Sequence, residues 1–514
     1  MMKPPYLFFV LIFIFLILFR YTPGLAQNWT ITGGGDTFDT GVSIDYDNNG
    51  NVYSLTFYQG PDVLFGDTTF VGDVHGYLLA KFNSSGTMQW IVNIICPTAS
   101  VFGNVANIKV DSLSNVYVVG TFSDSVSFGD TTLYRLTPNM DFFLAKFNKD
   151  GVLQWAKRSD NHYSTSGSIT FSTFIAGFDS VFNINVIISF FRDTIILNKD
   201  TLVGYDDHII ARFDPKGNVV YSKMFLGLTE APGYVDNMDN YYVASDSGLI
   251  IKYNSNGVRL WSVDPGDGFY TDFIRVDGFD NMYVLTSDYV LKKYNNSGNF
   301  IWQKKINLLN KSVGFVPFGV DNNGNIIIWA GLGYSDISVL YLEKWDSSGK
   351  FIGAIYLGNK IDSINNAGGY IEDIVLSNDG NIYLTGDFAY NGNSGLLFIN
   401  DTIISDGRGF FLTKLHSSQL DITVSINNIQ GINKLLDIYP NPFSNELNLL
   451  FLLENEIINI EIINLMGVKV LSQKGITVQE LIKLKLNTNY FISGIYFLNI
   501  FTKNHFITKK IIKL

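Results

Sequence analysis

IKVDSLSNVYVVGTF (Ile108–Phe122) and, after a variable insert, DFFLAKFNKDGVLQW (Asp141–Trp155) decide the fold, because their parts recur along most of the chain. A hydrophobic strand runs into Asp111, a turn reaches Asn115, and a strand follows over Val116–Phe122. Beyond the insert, a strand over Asp141–Phe147 passes through a turn from Asn148 to Gly151 into a strand closing on Trp155. Apolar residues alternating between turn residues are the mark of half-buried strands, so one unit makes one small antiparallel sheet of four strands.

Working outward, two turns align the other units: an Asp or Ser leading to Asn before a strand, and a basic-aromatic-Asn/Asp step followed by Gly. The first unit has Asp45, Gly50-Asn51 and Tyr53, then Lys81-Phe82-Asn83, Gly86 and Trp90. The third is degenerate around Asp179 to Phe191 but closes with Arg212-Phe213-Asp214, Gly217 and Tyr221. The fourth and fifth run from Asp236 to Trp261 and from Asp277 to Trp302, and the sixth from Asp321 to Phe351. The seventh has Ser377, Gly380-Asn381 and Tyr383, then Lys414-Leu415-His416, and lacks an aromatic closing strand.

Seven sheets that cannot bury their faces alone must stack, and a radial stack that closes removes most open edges. The expected fold is all-β: a seven-bladed β-propeller over 27–416, followed by a small C-terminal β-sandwich. Asn28-Trp29-Thr30-Ile31 looks like the closing strands Gln89-Trp90-Ile91 and Gln154-Trp155-Ala156, so the strand at 28–31 is expected to complete the last blade. Aromatics at 15% and 47 glycines fit strands joined by tight turns. The Asp…Gly-Asn-x-Tyr…Gly-x-Phe pattern at Asp45–Phe57, Asp111–Phe122 and Ser377–Phe388 resembles a bacterial β-propeller repeat family of secreted proteins. That resemblance implies fold; the family shares no catalytic residue.

The net charge of −11 excludes the basic stripe that phosphate binding requires, so nucleic acid is not an expected partner. Nine Lys against six Asp and Glu from Asn433 onward leave that segment near +3 and the rest near −14. Lys3, an apolar run over Tyr6–Phe19 and small residues at Gly24-Leu25-Ala26 read as a signal peptide over 1–26, with no span left in the mature protein. The single cysteine, Cys96, sits in an apolar run and is expected to be a buried small hydrophobe.

Units one, two, three and seven carry long inserts between their second and third strands, with a shared pattern at Phe65-Gly66-Asp67-Thr68-Thr69, Phe128-Gly129-Asp130-Thr131-Thr132 and Asn400-Asp401-Thr402-Ile403. These blades neighbour one another around a ring, so their inserts either raise a ligand-binding lip on one half of one face or merely thicken blade edges. The Asp-Thr pairs read as side-chain-capped turns, and they are also similar to a bacterial O-glycosylation sequon. Asp45-x-Asp47-x-Asn49-Gly50 has calcium-loop spacing but Thr56 at the twelfth position, so a hairpin turn is the reading and no metal is expected. The five histidines show no metal or catalytic spacing, and no cofactor or catalytic residue is assigned.

After a polar connector at 417–433 the pattern changes. Over 434–514, alternating apolar residues build a separate β module with Tyr439-Pro440-Asn441-Pro442, Met466-Gly467, Gly494-Ile495-Tyr496 and a basic end at Lys509-Lys510. These motifs resemble the type A C-terminal sorting domain of the type IX secretion system. The resemblance implies passage to the outer-membrane cell surface or medium, with the secretion machinery as partner and Pro440, Asn441, Pro442, Gly467, Gly494, Tyr496 and Lys510 as the sorting signal. The functional expectation is a secreted or surface-displayed, non-catalytic propeller that binds a glycan, protein or matrix component. The alternatives are a propeller-fold polysaccharide hydrolase or lyase and a structural surface component.

Overall fold

A computed structural model describes residues 28–420 and 436–514, apart from short internal stretches such as 98–106, 307–315, 361–367 and 465–467. The expected signal peptide at 1–26 and most of the connector lie outside the described residues. The chain divides into two compact units, Met1–Asp421 and Ile422–Leu514.

In the first unit the described strands form seven antiparallel sheets, four of four strands, two of six and one of seven, beside a separate three-stranded sheet. Each sheet's innermost strand lies against the next sheet's, and the seventh meets the first, where Thr40–Tyr46 packs on Gly368–Leu376 and Asn381–Ala389. This is the topology of a β-propeller. The quoted unit folds as read: Asn107–Val110, Val116–Phe122, Asp141–Phe147 and Leu153–Arg158 make one sheet. The N-terminal strand also lies where expected. Trp29–Gly34 pairs antiparallel with Gly409–His416 as the fourth strand of the last sheet.

Both turns are held by an Asp or Asn side chain at their first residue. Asp47 Oδ1 accepts from the amides of Asn49 and Asn51, and Asn83 Oδ1 does the same for Ser85 and Thr87. The fourth residue of each turn takes a left-handed conformation. Gly50 supplies it at φ +73°, while Ser114, Phe182, Asp239 and Asp280 fill the corresponding place at +60° to +65°. The turn acid of the first blade is therefore Asp47, a correction to the sequence alignment on Asp45. Asp45 lies on the inner strand instead, where it accepts from the Val110 amide of the second blade at 2.8 Å.

Blades are joined by a repeated latch. The basic residue of the third strand and the aromatic of the fourth are direct cross-strand partners: Lys81 with Trp90, Lys146 with Trp155, Lys293 with Trp302. Both members of each pair donate to one carbonyl in the next blade's turn, Lys149, Pro215 and Ser347 respectively, at 2.9–3.3 Å. Trp261 reaches Asn296 O, Arg212 reaches Ser255 O and Lys344 reaches Ser417 O in the same manner. Ser417–Leu420, assigned to the connector from sequence, is a 3-10 turn whose Leu420 is fully buried between the last two blades, so the propeller extends through it.

The second unit has two sheets, one of Leu436–Tyr439, Glu446–Leu452 and Leu481–Asn487, the other of Glu456–Asn464, Lys469–Val478, Gly494–Phe501 and Phe506–Lys513. Leu447, Leu449 and Leu486 of the first share a core with Ile460, Ile462, Leu498 and Ile500 of the second.

Candidate functional site

The described sorting-signal residues, seventy positions apart in sequence at their extremes, come together beside the final strand. Pro440, Asn441 and Pro442 are exposed. Asn441 binds the final strand with both ends of its amide: Nδ2 donates to Lys510 O at 3.1 Å, and Oδ1 accepts from Ile512 N at 2.8 Å. Phe443 continues the clamp, its amide donating to Ile512 O and its carbonyl accepting from Leu514 N, both at 2.8 Å. Tyr496 lies opposite Ile511 and Gly494 opposite Lys513 on the adjacent strand. The Tyr496 hydroxyl donates to Ile492 O at 2.7 Å.

Phe443, Phe491 and Tyr496 form the buried base of this cluster, with ring centroids 6.2 Å and 5.0 Å apart along the series. Lys513 lies with its ammonium 5.9 Å from the Phe443 ring centroid. Lys510 is exposed. Gly467, the remaining sorting residue, lies outside the described residues. Sequence reading missed Phe443, Phe491 and Leu514; the Phe directly after Pro442 was the available signal.

In the propeller, the described parts of three inserts fold into hairpins that add to the outer edge of a sheet and so thicken it. Asp62–Phe65 and Thr68–Val71 extend the last blade by pairing with the N-terminal strand, Gly33 opposite Phe65. Ser125–Phe128 and Thr131–Tyr134 extend the first blade through Ile94 and Ile95. Leu396–Phe398 and Asp401–Ile403 extend the sixth, whereas Asp193–Leu197 and Asp200–Gly204 join Asn161–Ser164 in a three-stranded sheet. The physical reason is that an open outer strand offers unpaired amides and carbonyls, and a two-stranded insert satisfies them at short range. Thr68 and Thr131 stand exposed at the hairpin tips.

Two buried carboxyls lie where the inserts leave the blades. Asp39 accepts from Gly35 N and Gln59 N at 2.6 Å and 3.0 Å, and burial raises it to about 6 against those amides. Asp141 accepts from the Ser159 hydroxyl and the Phe142 amide on Oδ1 alone, and burial lifts it to about 6. Around the axis, Asp373 accepts from Ser43, and Ser43 from Asn107, whose Oδ1 accepts from Ile175 N in the third blade. This chain of polar bonds ties four blades together. Asp47, the center of the calcium-like spacing, has its oxygens engaged by Asn49, Asn51 and Tyr53. Cys96 is buried, and burial pushes its thiol up to about 12.

Among known proteins, residues 437–514 match the family described as the secretion system C-terminal sorting domain. The tail is thus a type IX sorting domain, which indicates export and a secreted or surface-attached protein. No curated protein matches the chain. Solved structures similar to it include a streptogramin B lyase, at 9% identity over 76% of this chain and 98% of that one, TM-score 0.41. Others are BamB from Moraxella catarrhalis, at 12% identity over 72% and 82%, TM-score 0.31, and the Cps50 (Swd1) propeller domain from Myceliophteria thermophila, at 8% over 73% and 96%, TM-score 0.40. No helix of the described residues is long and apolar enough to cross a membrane.

Proposed function

We propose that this protein is an exported seven-bladed propeller, carried out of the cell by its tail, that acts without catalysis by binding a glycan, protein or matrix component. The observation that carries the reading is where the recurring charges go. The Asp and Lys or Arg of the repeats are engaged in turns and latches, as in Asp236 with Lys252 at 2.9 Å and Asp277 with Lys293 at 3.7 Å, so their recurrence reflects architecture. What remains is a rigid ring with variable outer edges, joined to an export signal.

Two experiments test this. Full-length protein and a chain ending before Leu436 are compared in a host with type IX secretion; export of the truncated chain would remove the sorting role. Residues 27–432 are then screened on a glycan array and for polysaccharide degradation, and turnover of a polysaccharide would replace the binding role with an enzymatic one.

A further inference from the structure

Opposite the basic residue of its latch, each blade carries one side chain on its second strand, and in most blades that side chain is polar. Tyr53, Tyr117, Tyr242, Tyr283 and Tyr383 stand across from Lys81, Lys146, Lys252, Lys293 and Lys414. The hydroxyl has a recurring set of neighbours. From Tyr53, Tyr242 and Tyr283 it donates to Oδ2 of Asp47, Asp236 and Asp277 at 3.0–3.1 Å, and in the fourth blade it accepts from the Lys252 ammonium. The carbonyl of the fourth residue in the next blade's turn lies 3.4–3.5 Å away, Ser114 O for Tyr53 and Gly324 O for Tyr283. The third blade fills the place differently. Asn185 faces Arg212, and its Oδ1 accepts from Arg212 Nε at 3.1 Å and from the Tyr241 hydroxyl of the fourth blade at 2.9 Å.

The sixth blade uses neither arrangement. Ile327 faces Lys344, and Ile382 of the seventh blade holds the place that Tyr241 has in the fourth, directly after the turn's Asn. On its other side Lys344 faces Gly353, where Lys81 of the first blade faces Trp90. A cavity lies at this junction, lined by Asp321, Ile327, Lys344, Gly380, Asn381 and Ser417. Asp321, Lys344 and Gly380 are the counterparts of the three groups that surround the hydroxyl in other blades. The space open to the centre of a water-sized sphere is about 10 Å³, which is close to what a single water requires. Asn381 is an independent sign of an occupant. It is 5% exposed, its Nδ2 donates to Asp379 Oδ2 at 2.8 Å, and its Oδ1 has no hydrogen-bond partner among the described residues. A buried amide oxygen without a donor is costly, and a water that reaches it removes the cost.

We propose that this cavity is a binding site for a single water molecule, held between the sixth and seventh blades in the place that a tyrosine hydroxyl takes elsewhere in the ring. The water donates to Asp321 Oδ2 and Asn381 Oδ1 and accepts from the Lys344 ammonium. The lining selects a neutral ligand that can do both. A cation would meet the ammonium of Lys344, and an anion the carboxylate of Asp321. Asp321 Oδ2 already accepts from Asn325 Nδ2 at 2.8 Å, as Asp47 Oδ2 does from Asn51, so the turn keeps one shape whether a hydroxyl or a water completes it. The seam differs in kind from the others, because a tyrosine hydroxyl is tied to its strand whereas a bridging water exchanges with solvent.

The test is a pair of crystal structures, the full chain and its Ile327→Tyr variant, at a resolution that shows ordered solvent. In the parent, one solvent peak is expected within hydrogen-bonding distance of Asp321, Lys344 and Asn381 Oδ1; in the variant, the new hydroxyl is expected at that point and the peak is gone. A parent cavity without a peak, or Asn381 Oδ1 bonded to a protein donor, overturns the proposal. Anomalous signal in the cavity after a rubidium soak would put a monovalent cation in place of the water and overturn it as well. In solution, Ile327→Phe adds the ring without the hydroxyl. Its unfolding equilibrium is expected to lie about tenfold further toward the unfolded state than that of Ile327→Tyr, the scale of one buried hydrogen bond. Equal urea midpoints for the two variants would show that the site needs no polar occupant and overturn the proposal. Should Ile327→Tyr fail to fold, the parent's solvent peak decides by itself.

Discussion

Trp29 and Lys414 stand directly opposite each other on adjacent antiparallel strands and donate to the same carbonyl, that of Ser84 in the first blade, at 3.2 Å and 3.0 Å. One residue begins the propeller and the other nearly ends it, so this pair closes the ring with the latch used between interior blades. Trp29 also packs against Phe82, its ring centroid 6.1 Å away. Trp29→Ala removes a hydrogen bond and half-buried aromatic surface at the junction where the N-terminal strand completes the last blade before the chain enters the first. The expected loss is about 2–4 kcal/mol, read as a lower urea midpoint.

Among the described residues, the fourth blade holds the most deeply buried ion pair. Lys252 and Asp236 side chains are 6% and 0% exposed, and the Tyr242 hydroxyl donates to the same Asp236 oxygen. Burial acts to raise the Asp236 carboxyl, yet the bonds from Asn240 and Lys252 hold it below its ordinary value. Its stabilising contribution is thus present above the unfolded carboxylate value and lost as pH falls through the lower folded one. Lys252→Met leaves that carboxylate buried without its cation and should cost about 3–5 kcal/mol at pH 7. Asp236→Asn/Lys252→Met should recover much of this, and a double-mutant cycle measures the difference.

Glycines that share a backbone conformation differ in what lies beside them. Gly86, at φ +84°, has the Trp29 ring where a Cβ would stand, 2.7 Å from Cγ; Gly129, at φ +66°, faces open space. Gly129→Ala should cost only the left-handed backbone penalty of about 1 kcal/mol. Gly86→Ala adds displacement of the closing tryptophan and should cost more, by about 1–3 kcal/mol. Thermal unfolding of the two variants gives the comparison, and equal losses would mean that Trp29 can move aside freely.

Much of this was legible because the latch has a fixed sequence spacing. Lys81 and Trp90, Lys146 and Trp155, Lys252 and Trp261, and Lys293 and Trp302 are each nine positions apart, since the same bulged turn joins their strands. The absence of such an aromatic after Lys414 pointed to Trp29. The inserts were not legible in the same way. Which edge a hairpin joins is a non-local choice, fixed by as few as two paired residues such as Ser127 and Phe128 with Ile95 and Ile94. Asp45 and Asp47 were confused because both are acidic and two apart, which places them on the same face of a strand pattern. In the tail, the motifs named the sorting residues, but the Asn441 clamp joins chain ends that no local pattern connects.

Asp141 gives a pH signature. Its carboxyl is raised in the folded state to about 6, so folding is favoured most below the unfolded value near 4 and loses that contribution as pH rises from about 4 to 6. Asp141→Asn can keep both bonds to Oδ1 and places a neutral amide where Oδ2 has no partner. The variant should be more stable than the parent at pH 7 by on the order of 2 kcal/mol and equal to it near pH 4. Unfolding midpoints across pH 4–7 check this. A parallel offset at every pH would show that hydrogen-bond loss, not charge, governs the site.

The hairpins can be tested as parts of the core. Phe128 is 4% exposed and lies 5.4 Å from Phe143 and 6.1 Å from Phe147, both in the second blade, while its own strand pairs with the first. Phe65 bridges in the same way, 4.7 Å from Phe410 of the last blade and 5.9 Å from Phe82 of the first. Each insert therefore seals a junction between blades with an aromatic wedge as well as extending an edge. Phe128→Ala and Phe65→Ala should each cost about 3–5 kcal/mol, whereas Thr131→Ala at an exposed tip should stay within about 0.5 kcal/mol. Urea unfolding measures all three. A neutral Phe128→Ala would mean that the hairpin is an appendage resting on a ring that is complete without it; a large loss means that these inserts belong to the closed interior, leaving only their tips free for recognition.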